Sequence, residues 1–203
     1  MTCPRAESPF DSSSIPFVLA SASPRRRDLL AQIGLKPDLI LATDIDETAR
    51  RDETPRSHVE RLARAKAQAA AARCDPDRLI LAADTVVALG RRILPKVEDE
   101  GTARRCLGLL SGRRHRVLTA IVLQHPQGIA SRTVESVVGF ARLTERQIDA
   151  LIATGDWHGK AGGYAVQGHA ASHIRFLSGS YSNVVGLPLF ETAQLLRSRG
   201  VLV

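Results

Sequence analysis

No apolar run in the 203-residue sequence approaches the roughly 20 residues that a membrane-spanning helix needs. Cysteine is scarce: Cys3, Cys74 and Cys106 are odd in number, widely spaced and free of any Cys-x-x-Cys pattern. That argues against a disulfide framework or a structural zinc site, and for a reducing, cytoplasmic setting. Aromatic residues make up only 4%, and no RRM, helix-turn-helix or zinc-finger pattern is present. The formal charge of +7 would permit a nucleic-acid partner, but with scattered arginines it fits a small polyanionic substrate at least as well. The dinucleotide fingerprint Gly-x-Gly-x-x-Gly is missing. Gly155-Asp156-Trp157-His158-Gly159-Lys160-Ala161 falls one residue short of a Walker loop and lacks its Ser/Thr. Lysine is rare too, with four (36, 66, 96 and 160) against 24 arginines. In a chain so rich in arginine, a retained lysine points to a need for a compact ammonium, with chance as the rival explanation.

What is present reads as one mixed α/β unit over 17–203, preceded by a mobile tail at 1–16 that resembles neither a secretory signal nor a transit peptide. Phe17-Val18-Leu19-Ala20 is a short strand. Ser23 suits a helix N-cap and Pro24 the first helical position, with Leu29, Leu30 and Ile33 on one face and Gly34 ending the helix. A second strand is expected at 39–42, followed by an acidic turn with Asp44, Asp46 and Glu47. Ser57 to Glu60 has the form of a capping box, opening a helix to about Arg73 with Val59, Leu62 and Ala63 inward. Leu79 to Ala83 reads as a buried strand that ends by delivering Asp84 and Thr85 out of the core. Gly90 marks a turn. A helix follows over 102–110 with Ala103, Cys106, Leu107 and Leu110 inward, then strands at 117–124 and 133–140. Thr144 to Gln147 is another capping box, with Ile148, Leu151 and Ile152 inward. A strand near 173–177 and a closing helix from Pro188 to about Gly200 complete the chain.

Chemistry concentrates at the first strand-loop-helix, where Arg25, Arg26 and Arg27 follow Ser21-Ala22-Ser23-Pro24. Free N–H groups and the positive dipole end make a helix start a natural phosphate site. Three like charges in a first turn oppose that dipole, a cost that an anion between them would remove. The bland alternative is a surface helix that begins with solvated arginines. Likewise, Asp84 alone is often a turn residue, Lys66 a surface charge on a solvated helix face, and Lys160 among glycines a mobile loop residue.

Seven ordered segments raise these residues above such readings: LASASPRRRDLL, DIDET, RLARAKA, LAADTVV, LSGRRHRVLTA, GKAGGYAVQG and GSYSNVVGLPL. From about Val18 to Leu196 the chain resembles the Maf family of nucleoside triphosphate pyrophosphatases. The resemblance implies a Maf/ITPase-like α/β fold, an elongated mixed β-sheet flanked by helices, with two lobes and a central cleft. It further implies hydrolysis of a nucleoside triphosphate to the monophosphate and pyrophosphate with a divalent metal, usually Mg2+, with Mn2+ as the other candidate. By the same resemblance Asp84 is the general base, Glu47 and Asp84 hold the metal, and Lys66 joins them in catalysis. Ser21, Ser23, Arg25, Arg26, Thr85, Lys96, Lys160 and Gln167 then bind the substrate, the cationic ones among them facing its phosphates. Arg25, Thr85 and Gln167 match the subgroup acting on dTTP and UTP, and Gln167 could pair with a pyrimidine imide edge or simply satisfy loop backbone. A homodimer is implied by resemblance only.

The chain departs from the family pattern in three places, one of them an N-terminal extension that matches nothing. Lys-Pro in the family is Pro95-Lys96 here, and Ala-Tyr-Gly-Ile-Gln is Gly163-Tyr164-Ala165-Val166-Gln167. The expected function is therefore dTTP/UTP pyrophosphatase, with no nucleic-acid or membrane partner. The alternatives are another base preference such as 7-methyl-GTP, or a regulatory binding protein linked to cell division.

Overall fold

The structure is a computed structural model that describes residues 15–203, so most of the expected tail, Cys3 included, lies outside the described residues. Strand β1 (Phe17–Ala20), wholly buried, leads into helix α1 (Pro24–Gln32). Strand β2 (Leu39–Ile40) follows, then helix α2 (Pro55–Ala71), strand β3 (Leu79–Leu89), and the short strands β4 (Arg92–Leu94) and β5 (Lys96–Val97). After helix α3 (Glu100–Leu110) come the long hairpin strands β6 (Arg114–His125) and β7 (Gly128–Phe140), then helix α4 (Glu145–Ala153). The remainder is β8 (Lys160–Ala161), a 3₁₀ turn (His169–His173), β9 (Ile174–Ser178), and helices α5 (Tyr181–Val185) and α6 (Leu189–Arg197).

Seven strands form one mixed sheet, ordered β2-β1-β3-β6-β7-β9 with β4 also paired to β3; β5 and β8 form a separate pair. β1 runs parallel to β2 and β3, while β3, β6 and β7 are antiparallel neighbours. At about 3.3 Å per residue the strands of this hairpin extend roughly 40 Å, which makes the sheet elongated. Side-chain alternation sorts the core. Even-numbered residues of β3 (Ile80, Ala82, Val86) pack under Val59, Ala63 and Ala67 of α2. The odd-numbered Leu79, Leu81 and Ala83 pack with α1 and α6 through Leu29, Leu30, Leu195 and Leu196. Past the middle of β3, Val87 enters a different cluster with α3, α4, Phe140 and Tyr164. Two lobes thus share the long strands, and the middle of β3 falls between them.

The inward faces expected for α2, α3 and α4 are those that are buried. Four expectations need correction. β3 does not end at Ala83; it runs on to Leu89, and Asp84 and Thr85 sit in mid-strand. The capping box of α2 is Thr54 with Ser57 at N3, so Ser57 is not the N-cap. β2 covers only 39–40. Ser23 does occupy the N-cap position of α1, but its hydroxyl makes no cap bond.

Candidate active site

A polar residue in the middle of a buried strand is costly unless something pairs with it, and alternation gives Asp84 and Thr85 different partners. Asp84, 6% exposed, points to the α2 face. There Lys66 Nζ donates to Asp84 Oδ1 at 2.5 Å and lies 2.6 Å from Glu47 Oε1. Lys66 is therefore no solvated surface charge: its side chain is only 11% exposed. Burial pushes the Glu47 carboxyl up, but the bond and charge of Lys66 outweigh this and hold it below its ordinary value.

Thr85 meets the opposite wall. Its hydroxyl pairs with Thr119 Oγ1 at 2.9 Å and accepts from an Arg26 nitrogen at 3.2 Å. Arg26 also donates to the Gly186 carbonyl at 2.9 Å and to Ser21 Oγ at 3.0 Å. The three arginines of α1 consequently part company. Arg26 is buried in the wall, Arg25 lines the cleft half-buried, and Arg27 turns outward beside Asp28. They do not surround one anion. Burial lowers the pKa of Arg26, and the charge of Asp84 partly offsets that.

The far rim carries Lys96 and Lys160. In the β5–β8 pair, Lys96 stands opposite Ala161 and Val97 opposite Lys160, so the two lysines are diagonal neighbours. Gly162 and Gly163, at φ of +71° and +72°, allow the chain after Lys160 to press onto the sheet; a Cβ at Gly162 would come within 2.9 Å of Val87 Cγ1. Burial and then the charge of Arg25 lower the Lys160 ammonium below its ordinary value. These cations crowd one another when no anion is bound.

One cleft of about 770 Å³ joins all of this. Ser21, Ser23, Arg25 and Arg26 line it from the α1 side, and Asp84, Thr85, Glu47 and Lys66 from the middle. Lys96, Lys160 and Gln167 line it from the far rim. Every site residue expected from sequence is thus brought to a single opening, where five cationic side chains face two carboxylates. Residues the sequence reading passed over also line it: His58, His158, Tyr164 and Gly186. The last two stand inside GKAGGYAVQG and GSYSNVVGLPL, so their segments carried the signal.

The curated dTTP/UTP pyrophosphatase of Gluconobacter oxydans is 62% identical over 94% of this chain and 91% of its own length. That of Rhodospirillum rubrum is 60% identical over 93% and 90%. Among solved structures, the Staphylococcus aureus Ham1 protein is 15% identical, with a TM-score of 0.40 over 92% of this chain and 93% of that one. Residues 16–199 match the family described as Maf-like protein, and with relatives this similar over nearly their whole length, the chain belongs to the Maf family.

Proposed function

We propose that this chain hydrolyses dTTP and UTP to the nucleoside monophosphate and pyrophosphate. The observation that carries the reading is the shared opening of Arg25, Lys96 and Lys160 with the Asp84–Lys66–Glu47 group. A triphosphate needs several positive groups before any nucleophile can approach it. The cleft volume of about 770 Å³ is within the range of small-molecule sites. The relatives named as dTTP/UTP pyrophosphatases support the same substrate.

The oxygen of a water bonds to the α-phosphorus, the bond from that phosphorus to the bridging oxygen breaks, and pyrophosphate leaves with both electrons. Asp84 is the general base that receives the water proton, Arg25, Lys96 and Lys160 hold the phosphoryl oxygens, and Lys66 orients Asp84. Gln167, exposed at the rim, presents an amide to the pyrimidine edge.

The donor set fits a hard divalent cation shared with substrate. Glu47 and Asp84 already converge on one positive group, whereas no cluster of three or more His, Cys, Asp or Glu side chains exists among the described residues. Mg2+ is commonly held by one or two carboxylates together with phosphates and water. Glu47 and Asp84 would hold it, and it would supply charge neutralisation at the phosphates.

A nucleotide panel with Mg2+ tests this reading. Pyrophosphate release from dTTP and UTP should exceed that from ATP, GTP, CTP and 7-methyl-GTP by about tenfold or more. Equal turnover of all bases defeats the specificity, and release of single phosphate defeats the reaction. The same reading assigns the cleft to free nucleotides in the cytoplasm and leaves no role for nucleic acid.

A further inference from the structure

Glu47 is carried by segment 41–54, which has no regular secondary structure. Something must hold a carboxylate on such a segment in place. The bond from Thr48 N to Asp46 Oδ1 is local and does not tie the segment to the rest of the fold. The start of the segment is bonded to β1 through Leu41 N–H to the Leu19 carbonyl and to Arg73 through the Ala42 carbonyl, and the tie beyond Glu47 comes from α2. Arg61 donates through Nε to Glu53 Oε1 at 2.7 Å and through Nη2 to Glu53 Oε2 at 2.8 Å, a two-point fork. The same Nη2 reaches the carbonyl of Thr48, the residue that follows Glu47, at 3.0 Å. Glu53 also accepts from the Arg50 backbone N–H at 3.0 Å and contacts His58 Nδ1 at 2.8 Å.

The Glu53 side chain is only 8% exposed, and the Arg61 bond holds its carboxyl well below the usual carboxylate range. Asp52, just before it, adopts φ +60°, unusual for a residue other than glycine. A buried ion pair is weak evidence for stability, because dehydrating both charges offsets most of their attraction; its best attested use is to fix one arrangement. Here the arrangement fixed is that of the backbone that follows Glu47, relative to the helix that carries Lys66.

We propose that Glu53 and Arg61 are positioning residues for Glu47, a clamp that sets this carboxylate opposite Asp84. The proposal rests on the pyrophosphatase reading above. It makes Arg61 matter for catalysis although it does not line the cleft.

The test is a double-mutant cycle on dTTP hydrolysis across an Mg2+ titration, with wild type, Arg61→Ala, Glu47→Gln and the pair combined. Arg61→Ala should lower kcat about tenfold and raise the half-saturating Mg2+ concentration, with KM for dTTP at saturating Mg2+ changed less than about threefold. In the Glu47→Gln background the same substitution should cost less than about twofold, since nothing remains to position. A second readout needs no activity. Trypsin nicking after Arg50 and Arg51 in the folded protein should rise about fivefold in Arg61→Ala and stay at the wild-type rate in Arg64→Ala. Should Arg61→Ala fail to fold, Glu53→Gln, which keeps the shape and loses the charge, is expected to give the same pattern. A full loss in the Glu47→Gln background, or an unchanged Mg2+ requirement, overturns the clamp. Wild-type protein that releases no pyrophosphate overturns the underlying reading instead.

Discussion

Replacing Lys66 by methionine removes the positive group that two carboxylates share while keeping most of the apolar stem. Lys66 and Asp84 side chains are 11% and 9% exposed, and Glu47 is 48% exposed. Breaking a buried pair by deleting one partner costs about 3–5 kcal/mol. Because Glu47 can turn to water, the lower end applies, about 3 kcal/mol. For a domain of this size each kcal/mol moves Tm by about 2–4 °C, so Lys66→Met should melt roughly 10 °C lower in the presence of a chelator. The two stranded carboxylates then form a better cation site than in wild type, where the ammonium competes for them. Mg2+ at about ten times its Kd should return about 1.4 kcal/mol, or roughly 4 °C, to the variant. The assay is a set of thermal melts of both proteins with chelator and with rising Mg2+, no nucleotide being present. If Mg2+ raises the two midpoints equally, or only that of wild type, the assignment of Lys66, Glu47 and Asp84 to one charge cluster is refuted.

Further outcomes follow from other parts of the molecule. His115, 2% exposed, has its pKa pushed down to about 4 by burial and pairs through Nε2 with the Tyr164 hydroxyl. Since the folded value lies below the unfolded one of 6.5, the native state binds fewer protons between those limits. Stability is then full above pH 6.5 and falls toward pH 4 by about 3 kcal/mol, and denaturant melts of His115→Phe should lack that part of the slope. Arg25→Ala should raise KM for dTTP by about tenfold or more, read from initial rates, because it removes a half-buried guanidinium from the phosphate side. Gly162→Ala forces a side chain into the left-handed region and against Val87, and should lower stability by about 1–3 kcal/mol in the same melts.

The amphipathic helices were legible because their apolar positions recur at the helical period with nothing to disturb them. The buried faces of α3 and α4 match the pattern residue for residue. β3 outruns its expected end for a physical reason. A polar pair inside an apolar run looks like a strand end when its partners are remote, and Asp84 finds Lys66 18 positions away while Thr85 finds Thr119 34 away. α2 starts one turn before the expected position, because Ser57–Glu60 has the spacing of a capping box without being one. The true signal was Thr54 before Pro55, the same cap-then-proline pattern already used at Ser23-Pro24. The 3₁₀ turn and α5 are too short to show a period at all. Convergence of the site came from ordered segments rather than from any single motif. What those segments could not show is the difference between Arg25 and Arg26, neighbours in sequence of which the first lines the cleft half-buried and the second is buried in its wall.

The proposed role of Asp84, held by Lys66 in the cleft that Arg25 and the rim lysines share, is to activate the water that attacks the α-phosphorus. Pyrophosphate release from dTTP by Asp84→Asn, at saturating Mg2+ and beside a direct measurement of dTTP binding, tests it most directly. A fall in kcat of about 10²–10⁴ with nucleotide still bound is the expected result. Turnover within about tenfold of wild type would contradict it.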